Sequence, residues 1–169
     1  MSHWKHKIEG VDWQSMKLWE REQVFQNIAN ANGGFEQGQY AIVWEDPNEP
    51  DEPLKITVPS PAWLAMAMHG GILPPVEMYW ELAKDEAQPG FKRHTRGYLL
   101  HDSPTMPALT EEQAMEYLVM KDIPQHVWRD YRGNRTILRI VPRDLIPTDR
   151  SYRNAWRIAQ DAPLEEEAA

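Results

Sequence analysis

Tyr40-Ala41-Ile42-Val43-Trp44-Glu45-Asp46-Pro47-Asn48-Glu49-Pro50-Asp51-Glu52-Pro53-Leu54-Lys55-Ile56-Thr57-Val58 is the stretch that decides the fold class. An apolar, β-branched run from Tyr40 to Trp44 is followed, after an acidic connector, by a second from Leu54 to Val58. Leu54, Ile56 and Val58 alternate with polar neighbours, the period of a strand buried on one face. The pair reads as a β-hairpin with a long polar loop. Pro47, Pro50 and Pro53 keep that loop extended and discourage edge pairing.

Working outward, the flanks read as helices. Asp12 to Ala31 carries an apolar stripe of Trp13, Met16, Val24, Phe25 and Ile28, with Asp12 as its cap and Asn32-Gly33-Gly34 as its stop. Ser60-Pro61 opens a short helix through Trp63, Leu64 and Met68 that stops at Gly70-Gly71. Pro74-Pro75 opens another, with Val76, Tyr79, Trp80, Ala83 and Ala87 on one face, ending at Gln88-Pro89-Gly90. Residues 91–108 are a proline-punctuated connector with a short strand expected at Tyr98–His101. Thr110-Glu111-Glu112-Gln113 is a capping box, and the helix it opens turns Met115, Leu118 and Val119 inward before Asp122-Ile123-Pro124 ends it.

A strand from Thr136 to Val141, a turn region from Pro142 to Pro147 and a closing helix complete the chain. In that last helix Asp149 is the expected N-cap and Tyr152, Ala155, Trp156 and Ala159 share one face. Arg150, Arg153 and Arg157 lie on another, with Asp149 and Arg153 spaced as an acid-first ion pair. The order gives an α+β fold, mostly helical, with a β-hairpin and a small C-terminal helix-strand-helix module. A boundary near residues 89–108 separates an N-terminal α+β part, residues 1–100, from a C-terminal module, residues 101–160. Residues 161–169 form an acidic tail that reads as disordered.

At 169 residues and 41% hydrophobic content, with eight tryptophans, the chain is long enough to bury a core. No apolar run reaches the roughly 18 residues of a membrane helix. Basic residues stand near Met1, but no hydrophobic segment follows them, so no signal peptide is expected. The absence of cysteine excludes disulfides and thiolate chemistry. The net charge of −8 divides unevenly. Residues 126–158 hold eight arginines (Arg129, Arg132, Arg135, Arg139, Arg143, Arg150, Arg153, Arg157) against three aspartates, a balance of +5 that leaves −13 elsewhere. The acid concentrates at Glu45–Glu52 and Glu165–Glu167. Such a division points to internal pairing or to a basic surface facing an acidic partner.

No catalytic constellation accompanies these charges. His3 and His6 lack further ligands for a metal. His69 sits at a helix C-terminus, where the dipole stabilises a cation. His94, His101, Asp102 and Ser103 lack a nucleophile elbow. In the Glu45–Glu52 loop nothing basic or apolar distinguishes one carboxylate from another, as an acid/base pair requires. Gly33-Gly34 and Gly70-Gly71 lack the spacing and lysine of a phosphate loop. No catalytic, cofactor-binding or metal residue is therefore expected.

Leu109-Thr110-Glu111-Glu112, Lys121-Asp122-Ile123-Pro124, Leu138-Arg139-Ile140-Val141 and Ile146-Pro147-Thr148-Asp149-Arg150, with the closing Trp156, resemble a recurrent module of small tailed-bacteriophage and prophage proteins. That module has a short acidic helix, a Lys-Asp-Val/Ile-Pro turn, a strand and a Pro-x-Asp-Arg-x-aromatic-Arg-x-Ala-Trp end. The similarity covers about a third of the chain. Tyr152 stands where phenylalanine is commoner, and Arg129–Arg135 form a longer, arginine-laden insert. The resemblance implies phage origin and no catalytic residues.

The functional expectation is a non-enzymatic phage protein, virion-associated or an assembly accessory, acting through protein–protein contacts and self-associating. Its place is the virion, or the host cytoplasm during infection, with other phage structural proteins as partners and no membrane. Trp128, Tyr131, Arg132, Arg135, Arg139, Arg150, Arg153 and Arg157 are the interaction candidates, since arginine and aromatic residues anchor interfaces. Asp149, Tyr152 and Trp156 are structural. The alternative is a regulatory or host-takeover factor binding nucleic acid through residues 129–157, where Trp128 and Tyr131 interleave with arginines.

Overall fold

The computed structural model describes residues 7–90, 103–129, 137–149, 151 and 153–158. The fold is α+β, with helices and a small three-stranded antiparallel sheet. The chain forms two compact units, Met1–Gly38 with Ser60–Tyr117, and Gln39–Pro59 with Leu118–Ala169. They are interleaved in sequence rather than consecutive, as a division at residues 89–108 would make them. The hairpin belongs with the C-terminal strand because its backbone bonds to it.

In the first unit a 3₁₀ turn, Trp13–Ser15, precedes helix α1, Leu18–Ala31. The helix expected from Asp12 therefore starts a turn and a half later. Extended backbone at Met16 breaks it, and the carbonyls that a continuous helix would use are taken by a side chain. Arg21, fully buried, donates from Nη1 to the carbonyl oxygens of Met16 at 2.8 Å and Trp13 at 3.5 Å, and from Nε to Ile72 at 2.8 Å. Burial lowers the affinity of its guanidinium for the proton, with Tyr79 and Glu22 acting in the opposite sense. Glu20 accepts from the Lys17 amide at 2.9 Å and secures the new helix start.

Helix α2, Pro61–His69, is capped by Ser60 Oγ, which accepts from the Trp63 amide at 3.1 Å. It stops at Gly70, whose φ of 82° and ψ of 158° suit glycine alone. A Cβ there would meet the Ala108 backbone nitrogen at 2.4 Å. Helix α3 spans Glu77–Glu86; Val76 and Leu82 are its buried contacts, while Ala83 and Ala87 face water. Phe25, Ala29, Ala65, Met66 and Ile72 form the core cluster, with Ile8, Trp13, Phe35 and Trp63 against it.

Helix α4, Glu111–Asp122, opens on the expected capping box. Gln113 N–H donates to Thr110 Oγ1 at 3.1 Å, and Thr110 N–H to Gln113 Oε1 at 2.9 Å. Met115, Leu118 and Val119 are buried, as their spacing requires. A short helix α5, Gln125–Trp128, follows Pro124.

The second unit is built on the sheet. Strands β1, Tyr40–Trp44, and β2, Lys55–Thr57, pair antiparallel as the expected hairpin, with Val43 opposite Ile56. Pro53 and Pro59, which cannot donate to a ladder, bracket β2 and keep it short. Strand β3, Leu138–Pro142, pairs antiparallel with the other edge of β1, placing Val43 opposite Arg139 and Ala41 opposite Val141. β1 is thus the central strand and four of its five residues are buried.

The closing helix does not form among the described residues. Arg153–Ala155 is a single 3₁₀ turn, and Trp156–Ile158 runs non-helically. The Trp156 carbonyl accepts from the Leu54 amide at 3.4 Å, and Ile158 buries against Val43 and Leu54. Both ties hold the chain out of helical geometry.

Candidate interaction cleft

Val43, Ile56 and Val141 occupy one face of the sheet, because directly opposed residues share a face and successive ones alternate. Over that face the chain end lays Trp156 and Ile158, and the turn after β3 brings Leu145, Ile146 and Pro147 alongside. Together with Leu54 they enclose a cleft of about 310 Å³. Among the described residues two of the lining side chains carry charge, Arg139 and Arg157, and both are cations.

Each wall has a local cause. The 3₁₀ turn Arg143–Leu145 is fixed by the Arg143 amide donating to the Gln39 carbonyl at 2.8 Å and by Ile146 N–H donating to the Arg143 carbonyl at 3.1 Å. That turn leaves Leu145 69% exposed at the lip, the most exposed large apolar side chain among the described residues. Trp156 is held by its carbonyl bond to Leu54 and by its amide donating to the Arg153 carbonyl at 3.0 Å. Arg157 places Nε 3.5 Å from Glu45 Oε1 and donates from Nη1 to the Trp156 carbonyl at 2.7 Å.

Of the expected interaction residues, Arg139 and Arg157 meet at the cleft, joined by the structural candidate Trp156. Trp128, at the end of α5, and the exposed Arg153 do not line it. Tyr131, Arg132, Arg135, Arg150 and Tyr152 lie outside the described residues, as do the expected strand at 98–101 and the tail at 161–169. Asp149 is not a helix cap. Its carboxylate accepts from Ser151 N–H at 2.9 Å and Ser151 Oγ–H at 2.6 Å, closing a local turn, and these bonds hold it below the ordinary carboxylate range. No Asp149–Arg153 ion pair forms among the described residues, because the helix that would align them is absent. Leu145 and Ile146 carried no signal beyond being apolar beside a proline; only the folded turn makes them a lip.

Elsewhere the titratable groups serve structure. His126 Nε2 lies 2.7 Å from Asp46 Oδ1 at the surface. At its helix end His69 does not gain proton affinity as the dipole alone would give it; burial holds its imidazole below the ordinary range. Among the described residues no group of three His, Asp or Glu side chains is placed to hold a metal, and no helix is long and apolar enough to cross a membrane. No protein-family model, no curated protein and no solved structure matches the chain.

Proposed function

We propose that the protein is a non-catalytic binding protein whose second unit seats an apolar, carboxylate-bearing segment of a partner protein in this cleft. The observation that carries the reading is the pairing of an exposed apolar lip, Leu145, with walls whose charged residues, among the described residues, are arginines. A soluble domain leaves a concave apolar patch of this kind where something docks. Arginine meets carboxylates in a planar, two-pronged fashion that selects for acidic neighbours. Arg157 already holds one carboxylate, Glu45, at 3.5 Å with much of its side chain in water. Such a pair is weak, so a partner carboxylate exchanges with Glu45 at little cost. The phage-like ending at Asp149–Trp156 supports a setting among virion-associated or assembly components.

The test is fluorescence anisotropy with a labelled peptide of alternating leucine and glutamate, compared with the same peptide carrying glutamine for glutamate. The acidic peptide is expected to bind at least about tenfold more tightly, about 1.4 kcal/mol. Leu145→Glu, at an exposed position, should abolish binding with the fold intact by circular dichroism. Equal affinity for the two peptides, or binding unchanged in Leu145→Glu, would overturn the reading. So would a mobility shift of duplex DNA with steep salt dependence, which would assign the arginines to phosphate, or dimerisation lost in Leu145→Glu, which would make a second copy the occupant.

A further inference from the structure

The N-terminal strap of the first unit, residues 7–16, is held at its start by a group that titrates and further along by groups that do not, Arg21 and the Gln14 side chain, which donates to the Ser103 carbonyl at 2.8 Å. Near its start the Ile8 amide donates to His69 Nε2 at 2.8 Å. The other ring nitrogen, Nδ1, stands 2.7 Å from the Gly70 carbonyl oxygen. A carbonyl only accepts, so Nδ1 carries the proton and Nε2 offers its lone pair; the neutral ring in one tautomer satisfies both contacts. Trp13 and Phe25 close the ring in edge-on, with centroids 5.8 and 5.3 Å away, and the Ile8 side chain packs on the cluster of Phe25, Ala29, Ala65, Met66 and Ile72. Further along, the Arg21 guanidinium grips the Trp13 and Met16 carbonyls, and arginine stays charged across the accessible pH range.

We propose that His69 is an acid-operated latch: a proton arriving at Nε2 sets a donor against the Ile8 N–H donor and frees residues 7–12, while Arg21 keeps residues 13–16 in place. The closed form resists that proton. Burial is the main reason, and Lys7 on the strap adds its repulsion, while the Gly70 carbonyl works in the opposite sense. From α1, Phe25 offers the ring only its aromatic surface. From the 3₁₀ turn Trp13 does likewise, and among the described residues no carboxylate acts on the ring. Protonation and opening are therefore linked. The neutral, closed form prevails above the ordinary imidazole range, and the open, protonated form gains as pH falls through it. The freed strap uncovers the apolar seat of Ile8 on that core cluster.

The experiment uses the full-length protein labelled with ¹⁵N, following the His69 ring nitrogens and the exchange of the Ile8 amide from about pH 8 to about pH 5. After correction for intrinsic exchange, the open-to-closed ratio at Ile8 should rise about tenfold per pH unit once the ring begins to titrate. The Arg21 amide, bonded to the Lys17 carbonyl at 3.0 Å, should stay protected. His69→Gln offers Ile8 an acceptor that cannot titrate, and protection in it should be flat. If that variant does not fold, the wild-type ring and amide curves decide alone. Protection at Ile8 that ignores the ring's titration, or acid-dependent loss that persists in His69→Gln, would overturn the proposal.

Discussion

His126 Nε2 stands 2.7 Å from Asp46 Oδ1, fastening the acidic hairpin loop to helix α5 across 80 residues of sequence. With Arg157 on Glu45 and Lys55 on Glu49, it shows how part of the acidic block is answered within the second unit. One partner is an arginine of the basic segment; the others are a histidine and a strand lysine.

The Asp46 carboxyl is held below its ordinary range, first by the His126 hydrogen bond and then by the Asn48 amide. Its contribution to stability is complete above the ordinary carboxylate range and fades as pH falls through the lowered value. Asp46→Asn should cost about 0.2–1 kcal/mol near neutrality, as exposed pairs do, and nothing once the wild-type carboxyl is protonated. Urea midpoints followed downward from about pH 7 read both arms, and an unchanged neutral midpoint would show the bond to be idle.

Gly70→Ala should destabilise the protein by about 2–4 kcal/mol. The substitution meets positive-φ strain and the Ala108 backbone together. Gly10, also at positive φ, has open space where a Cβ would stand. Gly10→Ala should therefore cost only the conformational part, about 1 kcal/mol. Thermal unfolding of the pair separates strain from collision.

Arg21→Met keeps the bulk of the buried side chain but leaves the Met16 and Ile72 carbonyls without their side-chain donor, while the Trp13 carbonyl retains the Met16 amide. The loss should reach about 3–5 kcal/mol. Arg21→Lys should recover less than half of it, since one ammonium cannot span the three carbonyls that the planar fork reaches. Chemical denaturation of both variants gives the comparison.

Ile158→Ala should cost about 2–3 kcal/mol, the low end for such truncations because the adjacent cleft lets neighbours relax. Ala155→Gln, at an exposed position, should change stability by less than about 0.5 kcal/mol. A continuous closing helix with Ala155 inward would make Ala155→Gln the costly change, so the pair of denaturation curves distinguishes the two conformations of the chain end.

The local code carried much of this architecture. Alternation at Leu54–Val58 and the β-branched run at Tyr40–Trp44 found the hairpin, and Ser60-Pro61 and Thr110-x-x-Gln113 marked helix starts that the backbone adopts. Those signals succeed because caps, stops and period-two burial depend on neighbours within four residues. Contacts between distant residues settled the rest. Arg21 reaches back to two carbonyls and shortens α1, Leu54 and Val43 draw Trp156 and Ile158 out of helical geometry, and β3 returns to the free edge of β1. The cleft exists only through those returns, since Leu145, Arg139 and Trp156 become neighbours when the sheet closes. No periodicity along one segment encodes an energy shared between segments this far apart.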